Sequence, residues 1–314
     1  MTRYVLSKLG QSIFVIWAAY TITFVLLYVL PYDTVDLMFD PNEAELVSAE
    51  DRAEAREYYG LDQPVIMQYA TRLFDAVQGD FGTSTRTGRD VWSMIFETLP
   101  QTAILAAAAL TIAVVLAFAI AFAASSVRKQ WLANAVTALP AAGVSVPVFL
   151  VGLAILQVFS FQLRWFPPIG NDGAASLVLP AVTLAIPVSA PIAQLLIENI
   201  RSGLHAPYVT VSVAKGATRS WVLVREVLKN ASLPALTIAG LTFGNLLAGA
   251  VIVETVFSRS GLGRLTETAV STQDVMLVQA VVVFAALVFV VVNFLVDIVY
   301  PILDPRLRSR VLAS

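Results

Sequence analysis

The chain has 314 residues, of which 58% are hydrophobic and 13% charged, with a net charge of −2 and no cysteine, and its mean hydropathy is +0.77. An ordinary soluble domain carries about 25% charged residues, so this composition defines a polytopic membrane protein with one helical bundle instead of two soluble domains. The near-balanced charge gives no pointer to nucleic acid, and the lack of cysteine excludes disulfides, thiolate metal sites and a cysteine nucleophile.

Six stretches are long enough to cross about 30 Å of hydrocarbon, which takes about 20 residues at 1.5 Å each. They lie near 9–30, 98–124, 136–161, 177–200, 232–253 and 276–303. The first follows Arg3 and Lys8 and resembles a signal peptide at a glance. Its apolar run from Ile13 to Leu30 is too long for that, and it ends at Pro31-Tyr32-Asp33 without a small-residue cleavage pattern, so it reads as a retained anchor. Lys and Arg near membrane ends stay in the cytosol. The N-terminus, Arg128 with Lys129, the 201–231 loop and the tail residues Arg306, Arg308 and Arg310 then share the cytosolic side, with both termini inside. The division expected is 1–30 for the N-terminus and first span, 31–97 for an extracytoplasmic subdomain, 98–303 for a core that includes the loop, and 304–314 for the tail.

The 31–97 segment holds fourteen acidic residues and five Arg. Ser48 with Asp51 three positions on signals a helix start, and Gly60 its stop. A second helix is expected after Pro64, and Gly79-Asp80-Phe81-Gly82 marks a turn. The segment reads either as a docking surface for an external partner or as a solvated cap over the bundle.

The fourth span contains Pro180, Pro187 and Pro191, each of which removes a helical hydrogen bond and tends to kink the axis. In a membrane such breaks survive where protein or a water-filled cavity satisfies the freed carbonyls. This places the helix beside a pathway, with packing kinks as the alternative. Pro187 and the polar residues Gln157, Gln194, Asn245 and Asn293 are the pathway candidates, although an intramembrane amide also serves as a helix-to-helix hydrogen bond. Glu198 and Asp297 fall near cytosolic helix ends and read as interfacial rather than as a proton relay. No broken-helix repeat pair supports inverted-repeat secondary transport. Gly261-Leu-Gly263 is expected to make a turn between the last two spans.

No Lys follows a Gly, so the phosphate-binding Gly-Lys-Ser/Thr loop cannot be built from this chain. The single His, His205, excludes a His-Glu-x-x-His site and disfavours a Ser-His-Asp triad; it reads as an interfacial polar residue. No catalytic, cofactor or metal residues are assigned.

The polar stretch from Tyr208 to Pro234 is the most informative part of the chain. Tyr208, Val211 and Lys215 share one helical face, and Gly216 permits a tight break. A second helix is expected to turn Trp221, Val224, Val227 and Leu228 to an apolar side, with Arg219, Arg225, Glu226 and Lys229 on the rest. Short amphipathic helices of this kind lie on a membrane surface or fit a groove in a partner.

These residues resemble the permease subunits of ATP-binding-cassette importers for dipeptides and oligopeptides. The family's loop reads Tyr-Val-Arg-Thr-Ala-Arg-Ala-Lys-Gly, with a Pro eighteen residues after the Gly. Tyr208-Val209, Ala214-Lys215-Gly216, Asn230-Ala231 and Leu233-Pro234 match at that spacing. The resemblance extends to Gly60-Leu-Asp-Gln-Pro64, Gly79-Asp80, Arg86-Thr-Gly88, Trp165-Phe-Pro167, Leu179-Pro180, Val253-Glu254-Thr-Val-Phe-Ser258, Gly261-Leu-Gly263, and Asp297 with Leu303-Asp304-Pro305-Arg306. Departures are Thr210 and Val213 where Arg is frequent, Glu226 where His is common, and Pro31-Tyr32-Asp33-Thr34 for Pro-Gly-Asp-Pro.

The resemblance implies an all-α membrane protein with six transmembrane helices in the type I importer permease fold. It also implies a second homologous permease chain, two ATPase subunits that bind ATP and Mg, an extracytoplasmic binding protein, and the bacterial inner membrane. Tyr208, Ala214, Lys215, Gly216, Ala217, Asn230 and Pro234 become the ATPase-coupling candidates. Peptide is the expected substrate, with nickel complexes, glutathione or haem as alternatives. A stand-alone channel or secondary carrier is the competing class.

Overall fold

A computed structural model describes residues 2–28, 48, 50, 62–127 and 129–303, with the backbone alone at 2–5, 219, 243–245, 247 and 295–303. The described chain is helical, with one isolated antiparallel bridge between Thr83 and Asp90. In order come α1 (Thr2–Tyr28), α2 (Val65–Val77), α3 (Val91–Ser126), α4 (Gln130–Ser145), α5 (Val148–Ile155) and a π-helical turn (Leu156–Gln162). Then follow α6 (Ala175–Leu204), α7 (Pro207–Ala214), α8 (Arg219–Val222), a second π-helical turn (Leu223–Val227), α9 (Leu228–Leu241), α10 (Phe243–Val256), α11 (Leu262–Ser271) and α12 (Val275–Leu303).

Helices α1, α3, α6 and α12 are each long and apolar enough to cross a bilayer and correspond to the first, second, fourth and sixth expected spans. The third, expected at 136–161 as one helix, is bent by 102° between α4 and α5. Pro147 excludes the helical region from the residue before it, and Val146 is extended at φ −99°, ψ 128°. The fifth, expected at 232–253, is shared between α9 and α10, each of 14 residues and so about 21 Å long.

The chain divides into two compact units, one built on residues 1–100 and 261–291, the other on 101–260 and 292–314. In the second unit Ala106, Ala109, Ala113, Ala117 and Ala121 of α3 are fully buried. Their three-and-four spacing lines small side chains along one stripe, which lets neighbouring helices approach closely. Leu184, Ile192, Leu196 and Ile200 of α6 enter the same core. Helix α6 runs unbroken through Pro180, Pro187 and Pro191 for 30 residues, so the expected kinks do not interrupt it.

In the first unit Phe24 stacks on Tyr28 at 4.6 Å and meets the edge of Tyr69 from α2 at 5.2 Å. Helix α2 begins after Pro64 as expected, and Gly79 and Gly82 form the expected turn with φ +87° and +73°. The helix expected from Ser48 lies outside the described residues, apart from 48 and 50. Gly261-Leu-Gly263 does not make a simple turn: Gly261 caps α11, which runs for ten residues. Its Leu262 and Ala269 are buried with Met276 and Leu277 of α12, so apolar burial extends the helix beyond the glycines. Asp274 is buried ahead of α12, where its carboxylate accepts from the Ser84 hydroxyl, from Thr85 N and Oγ1 at 3.2 Å and from Leu277 N at 3.3 Å.

Candidate functional site: an elbow at one end of α6 and a polar knot at the other

Helix α6 ends at Leu204, and the ring Nδ1 of His205 lies 2.8 Å from the Arg201 carbonyl, in keeping with a plain polar cap. Pro207 opens α7 at the first helical position, where its missing N–H costs nothing. After Lys215 the chain reverses at Gly216, whose φ of +91° favours glycine. Nothing lies within 4 Å of a Cβ built there, so the backbone angle and not space calls for glycine. Gly216 N donates to Val213 O at 2.9 Å and Ala217 N to Ser212 O at 3.1 Å.

The second arm differs from expectation. Residues 219–241 form one continuous helical run, α8, the π turn and α9, instead of a short separate helix. Its buried face is Val222, Leu223 and Val227, whereas Trp221 and Val224 are 49% and 48% exposed. Val227 and Leu228 of the expected apolar side do pack on the core, and Val222 and Leu223 take the places expected for Trp221 and Val224. Gly203 of α6 makes the close approach possible, because a Cβ there would meet Val227 Cγ1 at 2.8 Å and Tyr208 Oη at 3.3 Å.

Of the coupling candidates, Ala214, Lys215 and Gly216 are exposed at the tip, Tyr208 is at the exposed root of α7, and Ala217 is half-buried against the core. Val211 and Val213 beside them are 53% and 51% exposed. Asn230 and Pro234 lie apart from this tip on α9, both exposed, with Asn230 Nδ2 donating to Glu226 O at 3.0 Å. One contact is absent from the sequence reading: Ser212 Oγ donates to both oxygens of Glu226 at 2.9 and 2.8 Å, tying α7 to the π turn. Ser212, Lys215, Gly216, Trp221 and Glu226 line a cleft of about 590 Å³ inside the elbow.

At the Ala175 end of α6 a buried polar knot replaces this openness. Pro180 has no N–H to give to Ser176 O, and Arg259 Nη1 donates to that carbonyl at 3.1 Å and to Gly170 O at 3.3 Å. Glu254 and Arg259 are 0% and 2% exposed. Thr102 Oγ1 donates to Glu254 Oε1 at 2.7 Å, and Arg259 N to Glu254 O at 2.8 Å. Burial pushes the Arg259 guanidinium below its ordinary range, while the nearby Glu254 charge pulls it back. In the sequence Glu254 stands out only within the Val253–Ser258 motif; the signal for the knot is a carboxylate and a guanidinium five residues apart in an apolar setting.

Pathway candidates are dispersed. Pro191, Gln194, Glu198 and Arg201 are exposed on a face of α6, with half-buried Pro187 continuing it by one turn. Gln157 is exposed on the first π turn and Asn293 is half-buried on α12. The side chains of Asn245 and Asp297 lie outside the described residues, as does the tail with Arg306, Arg308 and Arg310.

This architecture, long apolar helices joined by a helical elbow with a glycine at its turn, is that of a transporter permease. Residues 113–309 match the family described as binding-protein-dependent transport system inner membrane component, and residues 1–106 match the corresponding N-terminal family. The chain belongs to this family of ABC importer permeases. It is 34% identical over 311 residues to the glutathione transport system permease protein GsiC of Salmonella choleraesuis, covering 99% of this chain and 100% of that one. The Escherichia coli K12 protein of the same name is 32% identical with the same coverage. The MetNI methionine ABC transporter in an inward-facing conformation aligns with a TM-score of 0.53 and 19% identity over 67% of this chain and 96% of that one; this likeness bears on the fold alone. The protein is thus a multi-pass inner-membrane transport subunit that works with ATPase and substrate-binding partners.

Proposed function

We propose that this chain lines half of a peptide pathway, paired with a second, homologous permease chain, and that two ATPase subunits holding ATP and Mg grip its elbow around Gly216. The elbow and both termini then lie in the cytosol, and the binding protein delivers substrate on the opposite side. The observation that carries this reading is the elbow itself. A short helix with exposed Val211, Val213, Ala214 and Lys215 projects from the bundle and returns through Gly216 into a helix packed on α6.

In the mechanism, closure of the ATPases on ATP displaces α7, and the π turn, with Leu223 and Val227 in the core, carries the displacement to α6 and α9. Such a push shifts the bundle between inward-open and outward-open states only because the closed ATPases bind one state better than the other. The α6 face bearing Pro187, Gln194, Glu198 and Arg201 is not buried by its own chain. In a two-fold or pseudo-two-fold pair it suits a pathway wall. Peptide is favoured because the relatives named above transport glutathione, a modified tripeptide, which keeps glutathione itself within the proposed substrate class.

The test is reconstitution of the whole transporter with Gly216→Leu. Import and substrate-stimulated ATP hydrolysis fall by about tenfold or more, the scale of a lost inter-site coupling, while the subunits still co-purify. Unchanged uptake overturns the coupling role, and uptake into liposomes holding this chain alone overturns the importer reading. Ligand-induced melting shifts of the binding protein with di- and tripeptides test the substrate class; a response to glutathione alone narrows it to that compound.

A further inference from the structure

We propose that the Ser212–Glu226 hydrogen bond is a latch that makes the two arms of the elbow move as one body, with Glu226 the positioning residue on which import per ATP depends. The proposal rests on the reading of the elbow as the ATPase contact and adds to it the element that carries the force.

Gly216 is a joint without a stop: its φ is +91° and nothing lies within 4 Å of its Cβ position. The backbone bonds at the joint reach no further than Ala217, from Gly216 N to Val213 O and from Ala217 N to Ser212 O. Thr218 Oγ1 accepts only from Trp221 N, within the second arm. Among the described side chains, Ser212 to Glu226 is the one hydrogen bond joining α7 to the 219–241 run. Its two ends are mechanically unequal. Ser212 sits on the last turn of α7, among exposed residues that a partner can push, and no residue of α7 is buried. Glu226 sits in a π turn whose Leu223 and Val227 are fixed in the core. At its root α7 meets the bundle through Val209, which packs on the core; at its tip, where Val211, Val213 and Lys215 are exposed, a displacement passes to the second arm through this bond or bends at Gly216.

The chemistry suits a latch. One hydroxyl donates to both carboxylate oxygens, so a small rotation keeps one bond while the other lengthens, and a charged acceptor makes the bond stronger than a neutral pair.

The experiment measures substrate imported per ATP hydrolysed in the reconstituted transporter with its ATPases, second permease and binding protein. Ser212→Ala and Glu226→Ala each lower the yield by about fivefold, the low end of typical couplings between sites, while ATP hydrolysis without substrate continues. The double variant is no worse than either single one, and Glu226→Gln, whose amide oxygen still accepts the hydroxyl proton, keeps most of the yield. Additive losses, or an unchanged yield, overturn the latch.

Because the chain has no cysteine, Ser212→Cys with Glu226→Cys gives a unique pair for a short thiol-to-thiol cross-linker. Bridging restores the yield if the latch is mechanical; a bridged protein that stays as poor as the unbridged one overturns it, even if the alanine variants fold badly. A Val213→Cys probe separates the two readings. Cross-linking to an ATPase with no effect of the clasp variants sinks the latch alone, whereas no cross-link to an ATPase sinks the elbow reading beneath it.

Discussion

The two ends of α6 solve opposite problems with similar polar materials. At the Ala175 end Arg259 and Glu254 are sealed from solvent, and their partners come from α3, from the Gly170 loop and from α6 itself. At the Leu204 end a single clasp spans an open cleft, large apolar side chains are exposed, and the turn rests on one glycine. A buried charged network that is broken leaves an uncompensated charge, so it resists rearrangement. A part-exposed hydrogen bond exchanges readily with water. The first end is therefore built to hold its shape, and the second to be moved by something outside the chain.

The largest expected effect comes from breaking the rigid end. Arg259→Ala strips the donor from Ser176 O and Gly170 O and takes a positive charge away from the neighbourhood of buried Glu254, a loss of about 1.5–3 kcal/mol for hydrogen bonds from a charged donor. It is read as a lower melting temperature of the purified transporter in detergent. Pro180→Ala sharpens the point, since it returns a helical N–H to Ser176 O. In the Arg259→Ala background it recovers part of the loss, about 0.5–1.5 kcal/mol for one hydrogen bond, whereas in the wild-type background it gains less. Equal effects in the two backgrounds would show that Arg259 does not serve the carbonyl that Pro180 leaves open.

The next effect falls at the junction of α6 with the elbow. Gly203→Ala places a Cβ 2.8 Å from Val227 Cγ1, and Val227 is fully buried and cannot swing out. Overpacking of this kind costs about 1–3 kcal/mol. It also pushes the second arm away from α6, so substrate-stimulated ATPase activity drops with the melting temperature. A melting shift without a change in stimulation would place Gly203 in the bundle alone.

Much of this arrangement was legible beforehand, and the reasons for the exceptions are physical. Apolar length located α1, α3, α6 and α12, and Gly216 was read as the break from its position after Lys215. Prolines, however, have no fixed consequence. Pro147 coincides with a 102° bend, while Pro180, Pro187 and Pro191 lie inside an unbroken helix; at Pro180 the carbonyl left open accepts from Arg259, 79 positions away in sequence. Periodicity placed Val227 and Leu228 on the packed side correctly, but Trp221 and Val224 are exposed and Val222 and Leu223 are buried in their stead, because the face that meets the core is set by tertiary packing and not by the helical period alone. The Ser212–Glu226 pair spans fourteen residues and a reversal of direction, so no local pattern encodes it. Asp274 could have been found, because a carboxylate just ahead of an apolar run is an N-cap signal.

The smallest expected effect separates conformation from function at the movable end. Gly216→Ala adds only a methyl group into open space, so its stability cost is the left-handed backbone alone, about 1–2 kcal/mol. Asn230→Ala costs less still, about 0.5–1 kcal/mol, because its bond to Glu226 O is exposed. The two substitutions differ in what they touch. Alanine at 216 disfavours the reversal that sets the angle between the arms, so import falls further than the melting temperature suggests. Alanine at 230 leaves the reversal and the clasp in place, so import stays near wild type. If uptake assays rank the two in the opposite order, the junction with α9 and not the glycine turn governs transmission, and the contrast between a fixed end and a hinged end of α6 has to be redrawn around residue 230.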